Sequence, residues 1–85
     1  MINMVKKMSK GKNIIFTKHA KIRMLQRKIS EEEIKSAIQS PDKVKESFKE
    51  RLTIRKKFSK GVLEIVYKES PKEIIIITCY WIKER

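Results

Sequence analysis

The chain has one cysteine and one histidine among its 85 residues. A solitary Cys79 excludes an internal disulfide and a cysteine-based zinc site. One imidazole beside it leaves too few nitrogen and sulfur ligands for a conventional transition-metal centre, and no cofactor is expected. Long apolar runs are also missing. The longest, Ile74 to Ile77 continuing through Thr78 to Ile82, is of strand length, and residues 1–12 offer nothing apolar enough for a secretory signal or a membrane span. A cytoplasmic protein is the simplest expectation. Acids are scarce as well: 10 Asp and Glu stand against 22 Lys and Arg, a net charge of +12. There is no internal repeat and no linker.

What is present is basic, amphipathic and short. Lys6, Lys7, Lys10 and Lys12 meet no acid, so residues 1–12 read as a flexible basic arm ending near Gly11. Residues 13–85 still carry 18 bases against 10 acids, so the arm alone does not account for the charge. Such a surplus favours a polyanionic partner, with nucleic acid ahead of an acidic protein and an anionic membrane last. A Lys-, Ile- and Glu-rich composition serving stability is the competing explanation, although ion-pair networks would call for a closer balance of signs. Hydrophobic content of 40% with 38% charged residues fits one small folded domain over residues 13–85.

The periodicity changes once along the chain. Ile14 to Phe16 is a short extended lead-in, and Thr17 is the N-cap of a helix running to about Lys28. Ser30 and Glu33 form a capping box for a second helix that carries Ile34, Ala37 and Ile38 on one face and stops before Pro41. Beyond it the period falls to two. Lys43 to Phe48 reads as an edge strand, Arg51 to Phe58, Val62 to Glu69 and Glu73 to Ile82 as an antiparallel meander, with turns at Ser59-Lys60-Gly61 and Ser70-Pro71-Lys72. The expected fold is α+β: two N-terminal helices packed on an antiparallel sheet of three to four strands. Alternation groups Leu52, Ile54, Phe58, Leu63, Ile65, Tyr67, Ile75, Ile77, Cys79 and Trp81 on the core face. The other face then holds Arg51, Thr53, Arg55, Val62, Glu64, Val66, Ile74, Ile76, Thr78 and Tyr80, a mixed rather than polar set.

On the first helix, Ile22, Leu25 and Ile29 form the apparent core stripe, with Ala20 and Met24 as a smaller one. His19, Arg23 and Arg27, spaced by four, make a cationic ridge between them. An imidazole that titrates near neutrality beside two permanent cations suits work on a phosphodiester. The arginines can hold phosphate oxygens bidentately and stabilise charge developing on them. Equally, they can pair with Glu31, Glu32 or Glu33, and the histidine can cap or pack. Arg51, Arg55 and Lys57 on one strand are positioned to follow a nucleic-acid backbone, or form an ordinary solvated face.

Phe16-Thr-Lys-His-Ala, Arg23-Met, Gln26-Arg, Ile29-Ser-Glu-Glu-Glu, the closing Ser40-Pro and Ile75-Ile-Ile-Thr-Cys-Tyr-Trp carry a resemblance. Over residues 14–82 the chain resembles a family of small prokaryotic domains of unassigned function that share a His-Ala-x-x-Arg-Met-x-x-Arg helix. These domains are similar to the RelE, BrnT, barnase and colicin-like ribonucleases, many of them toxins of toxin–antitoxin systems. Lys28 departs from the pattern, since a glycine commonly precedes the Ile-Ser step. The resemblance implies a metal-independent endoribonuclease with a RelE-like fold and His19, Arg23, Arg27, Thr78 and Tyr80 as catalytic residues. It also implies RNA, free or ribosome-bound, as substrate and an acidic antitoxin as partner. In that reaction the 2′-hydroxyl attacks the adjacent phosphate, His19 moves a proton, and Tyr80 donates a hydrogen bond or stacks on a base. The second acid–base group has no clear owner, Glu64 being eligible if it shares that sheet face. The rival reading is a non-catalytic RNA-, ribosome- or protein-binding module.

Overall fold

The structure, a computed structural model, describes residues 12–46 and 48–82. The basic arm, apart from Lys12, lies outside the described residues; Lys12 itself pairs with Glu69. Strand β1 (Asn13–Phe16) leads into helices α1 (Lys18–Arg27) and α2 (Glu31–Gln39). They are followed by β2 (Lys43–Glu46), β3 (Arg51–Phe58), β4 (Gly61–Glu69) and β5 (Glu73–Ile82). The sheet order is β1-β5-β4-β3-β2. The architecture is therefore α+β, but the sheet has five strands and is mixed. The lead-in pairs in parallel with the last strand, from Asn13 opposite Glu73 to Phe16 opposite Ile76, an arrangement no turn signal announces. Strand β2 stops at Glu46 because the chain then turns through Phe48–Glu50, where Lys49 and Glu50 take left-handed conformations.

Both helices start where their caps require. Thr17 Oγ1 accepts the Ala20 N–H at 3.1 Å, and Ser30 with Glu33 completes a reciprocal capping box. Partial burial pushes the Glu33 carboxyl up, but the Ser30 N–H and the Lys60 ammonium outweigh it and hold the group below its ordinary value. Helix α1 ends at Lys28, whose φ of 58° is left-handed. A glycine would take that conformation without the Cβ penalty that Lys28 bears.

The core faces one side of the sheet. Ile54, Leu63, Ile65, Tyr67, Ile74, Ile76 and Cys79 are buried there with Ala20, Ile29, Ile34, Ala37 and Ile38. Ile74 and Ile76 therefore belong to the core, whereas simple alternation assigns that place to Ile75 and Ile77. The reason is a register shift. Val66 opposes Thr78 while Tyr67 opposes Ile76, so Ile77 is an extra residue that reverses the parity of β5 on either side of it. The spare backbone is used: Ile76 and Ile77 carbonyls accept the Thr17 N–H and hydroxyl, each at 3.2 Å.

The rotation of α1 also differs from the expectation. Ala20 is fully buried and Met24 packs on the core, whereas Ile22 is 46% and Leu25 83% exposed. Two anchors set this rotation. Thr17 fastens the start of α1 to the bulge, and Trp81 Nε1 donates to Arg27 O at 2.9 Å near its end. Alanine, not leucine, is the side chain small enough for the close approach that results. Thr17→Ala removes both the cap and a partner of the bulge. It is expected to cost about 1–2 kcal/mol in urea denaturation, whereas Thr17→Ser, which keeps the hydroxyl, should keep most of that stability.

Candidate active site and nucleic-acid interface

Pairing registers assemble a second constellation on the face of the sheet opposite the helices. Lys43 opposes Arg55, Arg55 opposes Glu64, and Glu64 opposes Tyr80. Lys45, Thr53, Val66 and Thr78 form the adjacent row by the same registers. Side chains on directly opposed residues point to the same side, so each row crosses four strands on one face. A hollow of about 600 Å³ is lined by Lys43, Val44, Lys45, Thr53, Arg55 and Glu64.

Glu64 is the centre of the first row. It is 8% exposed, the sole buried charged residue among those described. Arg55 Nε donates to its Oε1 at 2.7 Å, and the Tyr80 hydroxyl donates to Oε2. A buried carboxylate is tolerated when its charge is matched and its lone pairs are filled, and here one cation and one phenol do both. Arg55 spends only Nε on the pair; its side chain is half exposed, and a guanidinium carries four further N–H donors.

Both tyrosines are displaced upward. The hydrogen bond to Glu64, then burial, then the Glu64 charge push the Tyr80 phenol up to about 12 against the opposing pull of Arg55. Burial, then the Glu69 charge, push Tyr67 to about 12 as well. A folded-state value above the ordinary 10.0 stabilises the fold fully below pH 10, and that contribution is lost as pH rises toward 12. Alkaline titration followed by phenolate absorbance should therefore show neither tyrosine half-ionised at pH 10 in the native protein. Glu64→Gln should bring one of the two down. Two phenols ionising at the ordinary value would contradict the arrangement.

The helical ridge has a different setting. His19 is exposed, and Arg23 Nε donates to His19 Nε2 at 3.4 Å while its Nη1 donates to Gln26 Oε1 at 3.3 Å. Arg27 is exposed and contributes its carbonyl to Trp81. Among the described residues, Glu33 pairs with Lys60 at 3.1 Å, and no ion pair joins Glu31, Glu32 or Glu33 to the α1 arginines. Helix α1 is anchored to β5 at Ile77 and Trp81 on the core side of the sheet, so the ridge and the Glu64 row lie on opposite sides of it. Among the described residues no hydrogen bond links His19, Arg23 or Arg27 to Thr78 or Tyr80.

Residues 16–81 match the model of a family described as a domain of unknown function, DUF4258. The chain belongs to this family. The DUF4258 match runs from the end of β1 to Trp81 and so takes in both helices, the bulge and every residue of the Glu64 row. No curated protein and no solved structure matches the chain.

Of the sequence-derived site residues, Thr78 and Tyr80 share the open sheet face with Arg51, Arg55 and Lys57, while His19, Arg23 and Arg27 sit on α1. Lys43 and Lys45 were not among them, and Thr53, although alternation placed it on that face, was not read as part of the site. The signal for the two lysines was available, since they alternate with Val44 on a strand that reads as an edge. Thr53 carried no chemical signal of its own. The engagement of Glu64 by Arg55 and Tyr80 is a cross-strand property that depends on register.

Proposed function

We propose that this DUF4258 domain binds RNA across the open face of its sheet and cleaves it by attack of a 2′-hydroxyl on the adjacent phosphate. The observation that carries the reading is the composition of that face. Along β2, β3 and β4 it presents Lys43, Lys45, Arg51, Arg55, Lys57 and Lys68 against Glu64, which Arg55 already neutralises, with Asp42 at its margin accepting the Lys57 backbone N–H. The uncompensated charge is thus a strip several strands wide that suits a phosphate backbone. Tyr80, 36% exposed, offers an aromatic face for stacking on a base. Cleavage, and a toxin role with an acidic antitoxin as partner, are what the sequence resemblance over residues 14–82 to RelE- and colicin-like ribonucleases implies. On that face Glu64 is the group placed to move a proton, whereas His19 stands on α1, in the helical layer that covers the other face.

The test is direct. Purified protein is incubated with single-stranded and structured RNAs and with the same RNAs made with 2′-deoxyribose at the cleaved position. Cleavage leaving a 2′,3′-cyclic phosphate and a 5′-hydroxyl, and none at the deoxy position, is the expected result. Growth arrest on induction, relieved together with the cleavage by an inactivating substitution, is expected for the toxin role. One observation favours a binding module instead, because both oxygens of Glu64 are occupied in the resting protein. Salt-sensitive RNA binding without any new ends establishes that second reading.

A further inference from the structure

We infer that Glu64, Tyr80 and Arg55 form the reaction centre, with the Glu64–Tyr80 hydrogen bond serving as a proton return path that lets one carboxylate and one phenol act as base and acid. This inference rests on the RNA-cleaving reading and names the residues that perform it.

A carboxylate at the centre of a four-strand row, 8% exposed and lining a hollow with Lys43, Lys45 and Arg55, costs desolvation that an apolar residue there would avoid. Its neighbours on either side along β4, Leu63 and Ile65, are buried apolar residues of the core face, so the helix packing does not require it. The groups around it divide the needs of a transesterification. Glu64 is an acceptor for the 2′-hydroxyl proton. Arg55, with Lys43 and Lys45 beside it in the hollow, meets the non-bridging phosphate oxygens, where charge grows during transfer. Tyr80, its phenol held protonated far above neutrality, is a donor for the leaving oxygen.

The steps balance without any other reactant. The 2′-oxygen bonds to phosphorus as its proton passes to a Glu64 carboxylate oxygen. The bond from phosphorus to the 5′-oxygen breaks, and that oxygen takes the Tyr80 hydroxyl proton. The products are a 2′,3′-cyclic phosphate and a 5′-hydroxyl, leaving Glu64 protonated and Tyr80 as phenolate. The Glu64 proton then moves to the phenolate along the bond that already joins them, and the resting state is restored. The strong preference of this phenol for its proton drives that return. Thr78, in the next row beside Val66, lies at the margin of the centre and is not needed for either transfer.

The experiment compares wild type, Glu64→Gln, Tyr80→Phe and His19→Ala in single-turnover cleavage at saturating protein, with RNA affinity measured separately and folding verified by thermal denaturation. Glu64→Gln and Tyr80→Phe are expected to lose about 10²–10⁴-fold in cleavage rate while binding RNA within about threefold of wild type. The phenolate titration of Tyr80→Phe, with a single remaining phenol, confirms which group Glu64 holds. Wild-type cleavage that persists unchanged in both variants, or that only His19→Ala abolishes, overturns the centre and leaves RNA cleavage standing. Absence of cleavage by the wild type overturns the cleaving reading itself.

Discussion

Replacing Ile76 by alanine is expected to cost about 3 kcal/mol of folding stability, and replacing its neighbour Ile75 about 1 kcal/mol. The contrast follows from the bulge. Ile76 is completely buried beneath the helices opposite Tyr67, whereas Ile75 opposes Lys68 on the other face and is only half-buried. Removing three carbons from a packed interior loses their transfer free energy and leaves a cavity that neighbours fill incompletely. Removing them at a half-open sheet face loses a fraction of the first quantity and none of the second. An uninterrupted alternation back from Cys79 and Trp81 demands the reverse order, with Ile77 and Ile75 costly and Ile76 cheap. Urea denaturation of the two variants therefore tests the register of β5 itself. Equal midpoints, or a larger loss at Ile75, would place the extra residue elsewhere.

The same bulge marks the limit of what could be read from the residues in order. Local signals were dependable. Thr17, the Ser30–Glu33 box, Pro41 and the two hairpin turns delimit elements because caps and turns are decided by a few adjacent residues. Arg51, Arg55 and Lys57 shared a face as their spacing requires. Signals that depend on distant partners were not legible. The run from Ile74 to Ile77 is apolar at every position, so its sequence cannot show where parity changes, and the deciding contact is made by Thr17 sixty residues earlier. Leu25 outranks Ala20 in hydrophobicity, yet the helix turns its alanine inward because Thr17 and Trp81 hold both ends close to β5. Lys12 to Phe16 could not reveal that its partner strand lies at the far end of the chain. For the site, residue types were visible and their assembly was not: Glu64 was eligible as an acid–base group, but only the register brought it between Arg55 and Tyr80.

Changing Lys43, Lys45 and Arg51 together to glutamine is expected to weaken RNA binding about 50-fold at about 0.15 M salt and to make the log–log salt slope about two units shallower. Each phosphate neutralised on a single strand releases a condensed counterion and contributes about 0.7 to that slope. Three lost contacts therefore set both numbers together, and the affinities should converge as salt approaches about 1 M. These positions are chosen because all three are exposed and lie on the open face, away from the helical core. Arg55 is left intact, since removing it strands the buried Glu64 charge and would confuse binding with folding. The matching control removes the same charge from the helices at Lys18, Lys21 and Lys35, which are exposed on α1 and α2. A charge surplus acting only through the mean field of the protein makes the two triple variants equally weak, because exposed charges are exchangeable at distances beyond the Debye length of about 8 Å. A backbone lying on the sheet separates them, with the helix variant keeping nearly the wild-type slope. Fluorescence anisotropy at four or five salt concentrations distinguishes the outcomes, and it does so whether or not the bound RNA is subsequently cut.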